Sequence, residues 1–264
     1  YRALISTHTG DVLNCRPISD TYKLVNHSEL FEKQGNYLKE NSDLPLDNVE
    51  VIDRVYENGR RATRTIHFND LKMDVGQNDL VKCRLDVFNS VDMSWAFQVF
   101  SGAYRDLCRN TLVFGGEKAY HQKRKHTRNL DTASLTGKAV LSLDMFQNQR
   151  EQMDRWASLG LSSRQFVDVL SETICKRKAR PSDKEDQPIN KSLLNYLGDQ
   201  FEEEAKELGE TMWSGYNALT HWSTHTLEKG REKQKQHDAQ RKRADMVRDV
   251  LTSEPWQILE GAAA

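Results

Sequence analysis

Apolar and polar residues alternate in several segments of the first 115 residues, which is the pattern of half-buried β-strands. Residues 49–56 and 60–68 flank Asn58-Gly59, a dipeptide that tolerates the positive φ angles of a type I′ turn, so we predict a β-hairpin. Residues 81–89 are predicted to form a strand with one apolar and one charged face. The apolar face consists of Val81, Cys83, Leu85 and Val87, and the charged face of Lys82, Arg84 and Asp86. Apolar spacing also predicts a helix over residues 26–38, capped by Asn26 or Ser28.

Apolar residues recur every three or four positions in the second half of the chain, which is the spacing of amphipathic helices. The predicted helical segments are 140–159, a helix that begins at Ser162 or Ser163, 191–227, and a basic run over 228–250. Residues 176–190 contain two of the five prolines and almost no apolar side chain, so we interpret them as a linker.

These elements predict an α+β fold, in which a twisted antiparallel sheet with hairpins is backed by helices and followed by a helical C-terminal region. We place an α+β core domain at residues 1–175, with a basic loop at 115–129. The linker covers residues 176–190, and the helical C-terminal region covers residues 191–264.

Composition excludes some classes of protein. The 264 residues carry 38 Lys and Arg against 39 Asp and Glu, for a net charge of −1, and no apolar run approaches the roughly 20 residues of a membrane helix. The four cysteines form no CxxC pair, which argues against a zinc ribbon, and we expect free thiols in a reducing cytoplasm. The chain begins at Tyr1 rather than Met, so we expect an N-terminal piece to be missing, and no signal peptide is visible.

Residues 115–129 hold the strongest local feature, a glycine pair followed by five cations and a single acid, Glu117. The cations are Lys118, Lys123, Arg124, Lys125 and Arg128, and Tyr120 lies among them. Such cations displace counterions from a phosphodiester chain, and an aromatic ring stacks on an unpaired base. The alternative interpretation is a solvated surface loop, because most charge runs are simply exposed.

Further cations lie on or near the predicted strands and would extend this track if they shared the wet face of the sheet. They include Arg60, Arg61, Lys82 and Arg84. Trp95 is an alternative to Tyr120 as the stacking surface. The competing interpretation is that these are ordinary solvent-facing strand charges, diluted by neighbouring aspartates.

Other chemistry finds little support. His221 and His225 have the i, i+4 spacing of zinc ligands, but Trp222 stands where a metalloprotease has Glu, so helix packing or capping is the favoured role. A Cys108 nucleophile paired with His121 or His126 needs a spatial contact that the sequence does not establish. Walker A, GxSxG and GxGxxG motifs are absent. We therefore predict no catalytic residue, no metal and no cofactor.

Five segments resemble a widespread family of phage and plasmid proteins of unknown function. They are Tyr22 to Phe31, Val87 to Ala96 (VFNSVDMSWA), Arg105 to Leu112 (RDLCRNTL), Lys125 to Asn129 (KHTRN) and Trp213 to Thr220 (WSGYNALT). Met93 stands where the family's second box has Gly. Because Met rarely takes positive φ, we expect the turn at Asp92-Met93 to differ.

The resemblance implies a mobile-element origin and a location in the host cytoplasm. In general plan the chain is also similar to the phage single-strand annealing recombinases, an analogy at the level of fold. We therefore expect a homo-oligomeric ring or filament that binds single-stranded DNA and supports annealing or recombination without ATP. The acidic residues 202–210 and the basic residues 231–248 would pair between subunits. The alternatives are an anti-defence protein that binds a host protein, and a metal-dependent nuclease.

Overall fold

The computed structural model describes residues 1–13, 17–41, 44–76, 79–105, 111–112, 121–144, 149–176, 189–226 and 233–261. The strands are β1 (Val49–Tyr56), β2 (Arg61–Val75), β3 (Asp79–Ser90), β4 (Phe97–Arg105), β5 (Thr111–Leu112) and β6 (His121–Arg124). The helices are α1 (His27–Asn41), α2 (Thr132–Asp144), α3 (Gln149–Ser158), α4 (Ser163–Glu172), α5 (Lys191–Leu208), α6 (Met212–His225), α7 (Lys233–Leu251) and α8 (Glu254–Gly261).

The chain divides into two compact units. The first comprises Tyr1–Lys72, Lys82–Gly102 and Glu117–Phe146, and the second comprises Met73–Val81, Ala103–Gly116 and Gln147–Ala264. This division does not follow the predicted boundary at residue 175, and residues 177–188 of the predicted linker lie outside the described residues. The separation into domains 1–175 and 191–264 stays a prediction.

The sheet has the strand order β1-β2-β3-β4-β5, and β6 also pairs with β4. The printed pairs β1–β2, β4–β5 and β4–β6 are antiparallel. The short β2–β3 and β3–β4 connections also require antiparallel neighbours, because a parallel crossover needs a dozen or more residues. The predicted hairpin is confirmed, since Val49 pairs with Phe68 and Tyr56 with Arg61.

The turn of this hairpin is longer than a two-residue type I′ turn. Pairing of Tyr56 with Arg61 leaves four residues in the loop, and Glu57, Asn58 and Gly59 all have positive φ angles of 50°, 54° and 89°. The Asn-Gly dipeptide therefore marks the turn correctly but does not by itself determine its length.

One face of the sheet forms the core of the first unit. On β3, Cys83, Leu85 and Val87 of this unit are at most 1% exposed, and so is Val81, which belongs to the second unit, as the alternation predicts. Helix α1 begins where predicted, with the Asn26 side chain accepting a hydrogen bond from the Ser28 backbone N–H at 3.0 Å. It packs on α2, and α2 packs on β6. Arg64 donates to the Phe31 carbonyl of α1 at 2.6 Å, which ties β2 to this helix layer.

The second unit is a helical assembly in which α6 is the central element, in contact with α3, α5 and α7. Eleven of its fourteen residues are buried. Gly215 lies in close contact with the side chains around it, because an added Cβ would lie 2.7 Å from Leu161 Cδ2 and would force that side chain to shift. Helix α4 begins as predicted after Ser162, whose side chain forms a reciprocal capping box with Gln165.

One predicted helix is broken in the structure. Of the other, predicted over residues 140–159, the described part lies on α2 and α3, and residues 145–148 between them lie outside the described residues. Residues 191–227 fall on α5 and α6, because Gly209 takes a φ of 77° and Thr211 caps the new helix by accepting from the Ser214 N–H. The apolar stripe continues at helical spacing across this break, so periodicity alone does not reveal it.

These elements confirm the α+β fold class, an antiparallel sheet with helices followed by a helical C-terminal region. Among the helices of the described residues, none combines the length and apolar character that a bilayer crossing requires. Cys83 and Cys175 are free and buried, and burial raises the pKa of both thiols, that of Cys175 to about 11. Both are therefore protonated at neutral pH, while Cys15 and Cys108 lie outside the described residues.

Candidate nucleic-acid interface

Four of the predicted phosphate-binding cations occupy one exposed segment in the first unit. Lys123 and Arg124 end strand β6, and Lys125 and Arg128 follow in the turn that leads to α2. All four are exposed, and in the described part of the chain none of them forms an ion pair. We call Lys123, Arg124, Lys125 and Arg128 the basic ribbon.

The basic ribbon is held by backbone pairing on one side and by buried side chains between its cations. Lys123 lies opposite Gln98 and Arg124 opposite Phe97 on β4. His126 and Leu130 are 4% and 3% exposed, so these two residues point inward where the cations point out. A cationic segment fixed in this way loses little conformational entropy on binding an anion, which favours a preformed phosphate contact.

The segments that carry the family resemblance meet beside the basic ribbon. Tyr22 stacks on His126 with ring centroids 5.0 Å apart, and its hydroxyl donates to the Ser90 carbonyl at 2.8 Å. The Lys23 N–H donates to the His126 carbonyl at 3.0 Å. The Asn89 side chain reaches His27 Nδ1 at 2.9 Å. Tyr22, His27, Asn89, Ser90 and His126 therefore form one cluster of buried and half-buried polar side chains beside the ribbon.

Burial dominates the titration of the two histidines in this cluster. It lowers the pKa of His27, against a smaller opposing effect of the Gly59 carbonyl. Burial also lowers the pKa of His126, and the hydrogen bond between its Nδ1 and the Lys23 carbonyl, at 3.2 Å, has a smaller opposing effect. His126 Nε2 is buried without a hydrogen-bond partner, so protonation there would bury an unpaired charge.

The predicted strand cations differ from the ribbon because carboxylates neutralise three of them. Arg60 pairs with Glu57, and Arg84 contacts Asp86 through Nε at 2.7 Å and Nη2 at 2.6 Å. Arg61 donates from Nε to Ser94 Oγ at 2.6 Å and lies 3.9 Å from Glu57 Oε1. Lys82 is half-buried on β3. Arg60, Arg61 and Arg84 therefore have acidic neighbours within the turn and the sheet, and their predicted contact with nucleic acid stays a prediction.

Trp95 does not offer the predicted stacking surface. It is 6% exposed, and the Arg61 guanidinium lies 5.1 Å from its ring centroid. It belongs to a row of aromatic rings in the first unit. Tyr56 lies 6.2 Å from Trp95, Phe88 lies 5.9 Å from Trp95, and Phe100 lies 5.4 Å from Phe88. Tyr56, Phe88 and Phe100 are half-buried, and the sequence analysis did not select them as stacking residues, although Phe88 lies within the resembling segment Val87 to Ala96.

Phe100 connects this aromatic row to the basic edge of the sheet. It lies on β4 directly opposite His121 of β6, two positions before Lys123. Cross-strand neighbours project on the same face of a sheet, so the row ends beside the strand that carries the ribbon. Lys118 and Tyr120, the remaining predicted contacts, lie outside the described residues.

The turn after β3 places a residue in a conformation that its side chain disfavours. Met93 takes a φ of 64°, although Met rarely takes positive φ, and the expectation that this turn differs from the family's stays a prediction. The Asp92 carboxylate accepts from the Ser94 N–H at 3.0 Å and from the Ser94 hydroxyl. These bonds hold the turn, and Met93 is 40% exposed, so its side chain meets no steric obstacle.

The second unit contains a buried charge cluster built from two more of the resembling segments. Arg105 donates to Asp79 Oδ1 at 2.5 Å and contacts Glu204 Oε2 at 2.5 Å. Trp213 Nε1 donates to the other oxygen of Asp79 at 2.7 Å. Arg105 and Asp79 are 3% and 1% exposed, which makes this cluster structural. Burial raises the pKa of Glu204, and the Arg105 charge opposes that effect.

The remaining histidine hypothesis concerns α6. His221 and His225 lie with ring centroids 4.8 Å apart, and burial followed by the His225 charge lowers the pKa of His221. Across the described residues, no group of three His, Cys, Asp or Glu side chains has an arrangement that would hold a metal ion. Contact between Cys108 and His126 is not described, because Cys108 lies outside the described ranges.

Comparison with known proteins assigns the family. A search of curated proteins and a search of solved structures each found no match. A family model described as a domain of unknown function, DUF932, matches residues 16–247, which is most of the chain and includes both units. The chain therefore belongs to the DUF932 family, an uncharacterised domain family.

Proposed function

We propose that this protein binds single-stranded DNA along the basic ribbon and promotes annealing of complementary strands without ATP. The observation that carries the proposal is the segment from Lys123 to Arg128, with four exposed cations that form no ion pair among the described residues. Within residues 121–131 the single acid is Asp131, whose carboxylate accepts from the Ser134 N–H at the start of α2. Positive charge therefore dominates this edge although the whole chain is nearly neutral.

The aromatic row supports a single strand over a duplex. Unpaired bases stack on aromatic side chains, whereas the bases of a duplex are already stacked on one another. Phe100 and Phe88 are half-buried, Phe100 on β4 next to β6 and Phe88 on β3 beyond it, so cations and rings occur within one sheet. The phosphate contacts would hold the strand, and its base edges would stay available to a complementary strand.

The proposal includes the wider analogy with phage annealing recombinases. These share a small antiparallel sheet, supporting helices and self-assembly, and they act without a nucleotide cofactor. We extend the proposal to a mobile-element origin, action in the host cytoplasm, and assembly into a ring or filament. Exposed Glu202 on α5 would take part in the predicted pairing with the basic α7 of another subunit, whereas Glu203 pairs with Lys206 and Glu207 lies 3.6 Å from Arg105.

The test reverses the charge of three ribbon residues and measures binding of a labelled oligonucleotide by fluorescence anisotropy. The variant is K123E/R124E/K125E. The matched control is K33E/K39E/R164E, which has the same composition and replaces exposed cations of α1 and α4. Each neutralised phosphate contributes about 0.7 to the salt slope on single strands, so four contacts give a slope of about −2.8.

This slope corresponds to about a 50-fold loss of affinity between 50 and 200 mM salt. We expect the ribbon variant to bind weakly and with a slope near −0.7, and the control to behave as the wild type. Equal affinity and slope for the wild type and the ribbon variant would refute the phosphate contact.

A second readout follows the rate at which complementary oligonucleotides form duplex. Wild type is expected to accelerate this step, and the ribbon variant to lose the acceleration. Strand cleavage in the presence of Mg²⁺ or Mn²⁺ would instead identify a nuclease. Recovery of a nuclease-resistant host protein complex, without DNA binding, would favour the anti-defence alternative.

A further inference from the structure

Strand β1 forms an open edge of the sheet in the first unit. It pairs with β2, and no other described strand lies beside it. Five of its eight residues are exposed, and Val51 and Val55 are 47% and 64% exposed. In the described part of the chain, the backbone groups of residues 49–55 that face away from β2 form no hydrogen bond to another backbone group. An edge of this kind is a template for pairing with another strand.

The charges on β1 are arranged unevenly. Asp53 is neutralised by Arg64, which contacts its two oxygens at 2.7 and 2.6 Å. Glu50 and Arg54 form no ion pair with any described residue. They lie on the same face four positions apart, about 13 Å along a strand, and so they cannot pair with each other. Both are therefore available to a charge outside the chain.

We propose that β1 pairs antiparallel with β1 of a second copy of this chain, about a two-fold axis at Ile52. In this register Ile52 faces its own equivalent, and Val49 faces Val55. Glu50 then lies opposite Arg54 of the second copy, and Arg54 lies opposite Glu50. Both unpaired charges of each chain are satisfied, and the interface is isologous, so it closes as a dimer.

The charges and the sheet faces select this register over its neighbours. A one-residue slip would place the apolar core face of one sheet beside the polar face of the other. A shift of one strand by two residues toward the turn places Asp53 opposite Asp53, so two like charges meet. A shift by two residues in the other direction places Glu50 opposite Ile52, so Glu50 has no opposite charge across the interface. In-register parallel pairing sets Glu50 beside Glu50, which is also unfavourable.

Pairing of β1 leaves the basic ribbon accessible. The ribbon follows β6, which pairs with β4, and β4 is three strands from β1. The dimer therefore joins two sheets at the edges opposite their ribbons, and it forms with or without nucleic acid. Failure of the DNA-binding proposal would leave this inference intact.

A charge-swap experiment on the full chain tests the pairing. Nuclease-treated protein is examined by sedimentation velocity over a range of concentrations, with circular dichroism to confirm folding. E50R and R54E each turn two attractive pairs into two repulsive ones, and cross-strand pairs of this kind predict a loss of dimer affinity of about 10- to 100-fold. The double variant E50R/R54E restores opposite charges across the axis and is expected to restore the dimer.

Cysteine cross-linking tests the register independently. In the proposed pairing, I52C lies opposite its own equivalent and forms a disulfide-linked dimer under mild oxidation. V49C is the matched control, because Val49 is half-buried on the same strand as Ile52. In the proposed register Val49 is six residues along the strand from Val49 of the second copy, a distance of about 20 Å, which a disulfide cannot span. A monomeric wild type at all concentrations would overturn the proposal. A dimer that ignores the charge swap, or that cross-links equally through V49C and I52C, would also overturn it.

Discussion

Replacement of Arg105 with Met should be the most destabilising single change among the charged residues described here. The guanidinium is 3% exposed and contacts the carboxylates of Asp79 and Glu204. Without it, Asp79 retains only the hydrogen bond from Trp213 Nε1, and both acids stay in a low-dielectric interior. Removal of one partner from a buried ion pair costs about 3–5 kcal/mol, most of it from the uncompensated charge.

The measurement is urea unfolding followed by circular dichroism, with the slope m compared between variants. K206M is the matched control, because Lys206 also pairs with a glutamate of α5 but at 67% side-chain exposure, where such a pair contributes about 0–1 kcal/mol. The triple variant R105M/D79N/E204Q removes all three charges and keeps an oxygen for Trp213, so we expect it to recover most of the loss. If R105M cost no more than K206M, or if the triple variant were less stable than R105M, the reasoning would fail.

Two further changes test the first unit. Because burial lowers the pKa of His27 and His126, the native state binds fewer protons than the unfolded state, so the free energy of unfolding decreases as pH falls below about 6.5. Urea titrations should show this decrease, by at most about 1.4 kcal/mol per pH unit for each histidine. The variant H126F should show a smaller decrease. An H126F protein with the wild-type pH dependence would contradict this. M93G should raise the unfolding free energy by up to about 1 kcal/mol, since glycine adopts the φ of 64° without strain, and a loss of stability would show that the Met93 side chain contributes contacts.

The strands were predictable because the two faces of the sheet have different surroundings. Residues 81–89 alternate in the sequence and in burial, and Ser162 with Gln165 carries the complete signal of a helix start. The break between α5 and α6 was not predictable from periodicity, because the apolar spacing is continuous across it. Gly209 is visible in the sequence, but a glycine in a helical pattern marks either a destabilising residue inside a helix or the end of the helix. Only the packing of α6 distinguishes these two cases.

The Asp79 cluster could not be assembled from the sequence, although one sign of it was present. Asp79 has the same parity as Val81 and Cys83, so the alternation that buries those residues also buries the carboxylate. A charged residue on the inward face of a strand requires a partner. The partners, Arg105 and Trp213, are 26 and 134 positions away, and local patterns contain no information on such pairings.

Sequence proximity to acids separates the free cations from the neutralised ones. Arg60 and Arg61 follow Glu57 by three and four positions, and all three lie at one hairpin turn. Arg84 precedes Asp86 by two positions on β3, where side chains with that spacing share a face. The basic ribbon, from residue 123 to 128, has no acid inside it, and the acid that follows, Asp131, accepts from the Ser134 N–H at the start of α2 instead. The positive charge left for an external phosphate therefore lies at β6, because the strand arginines have neighbouring acids that neutralise them and the ribbon cations do not.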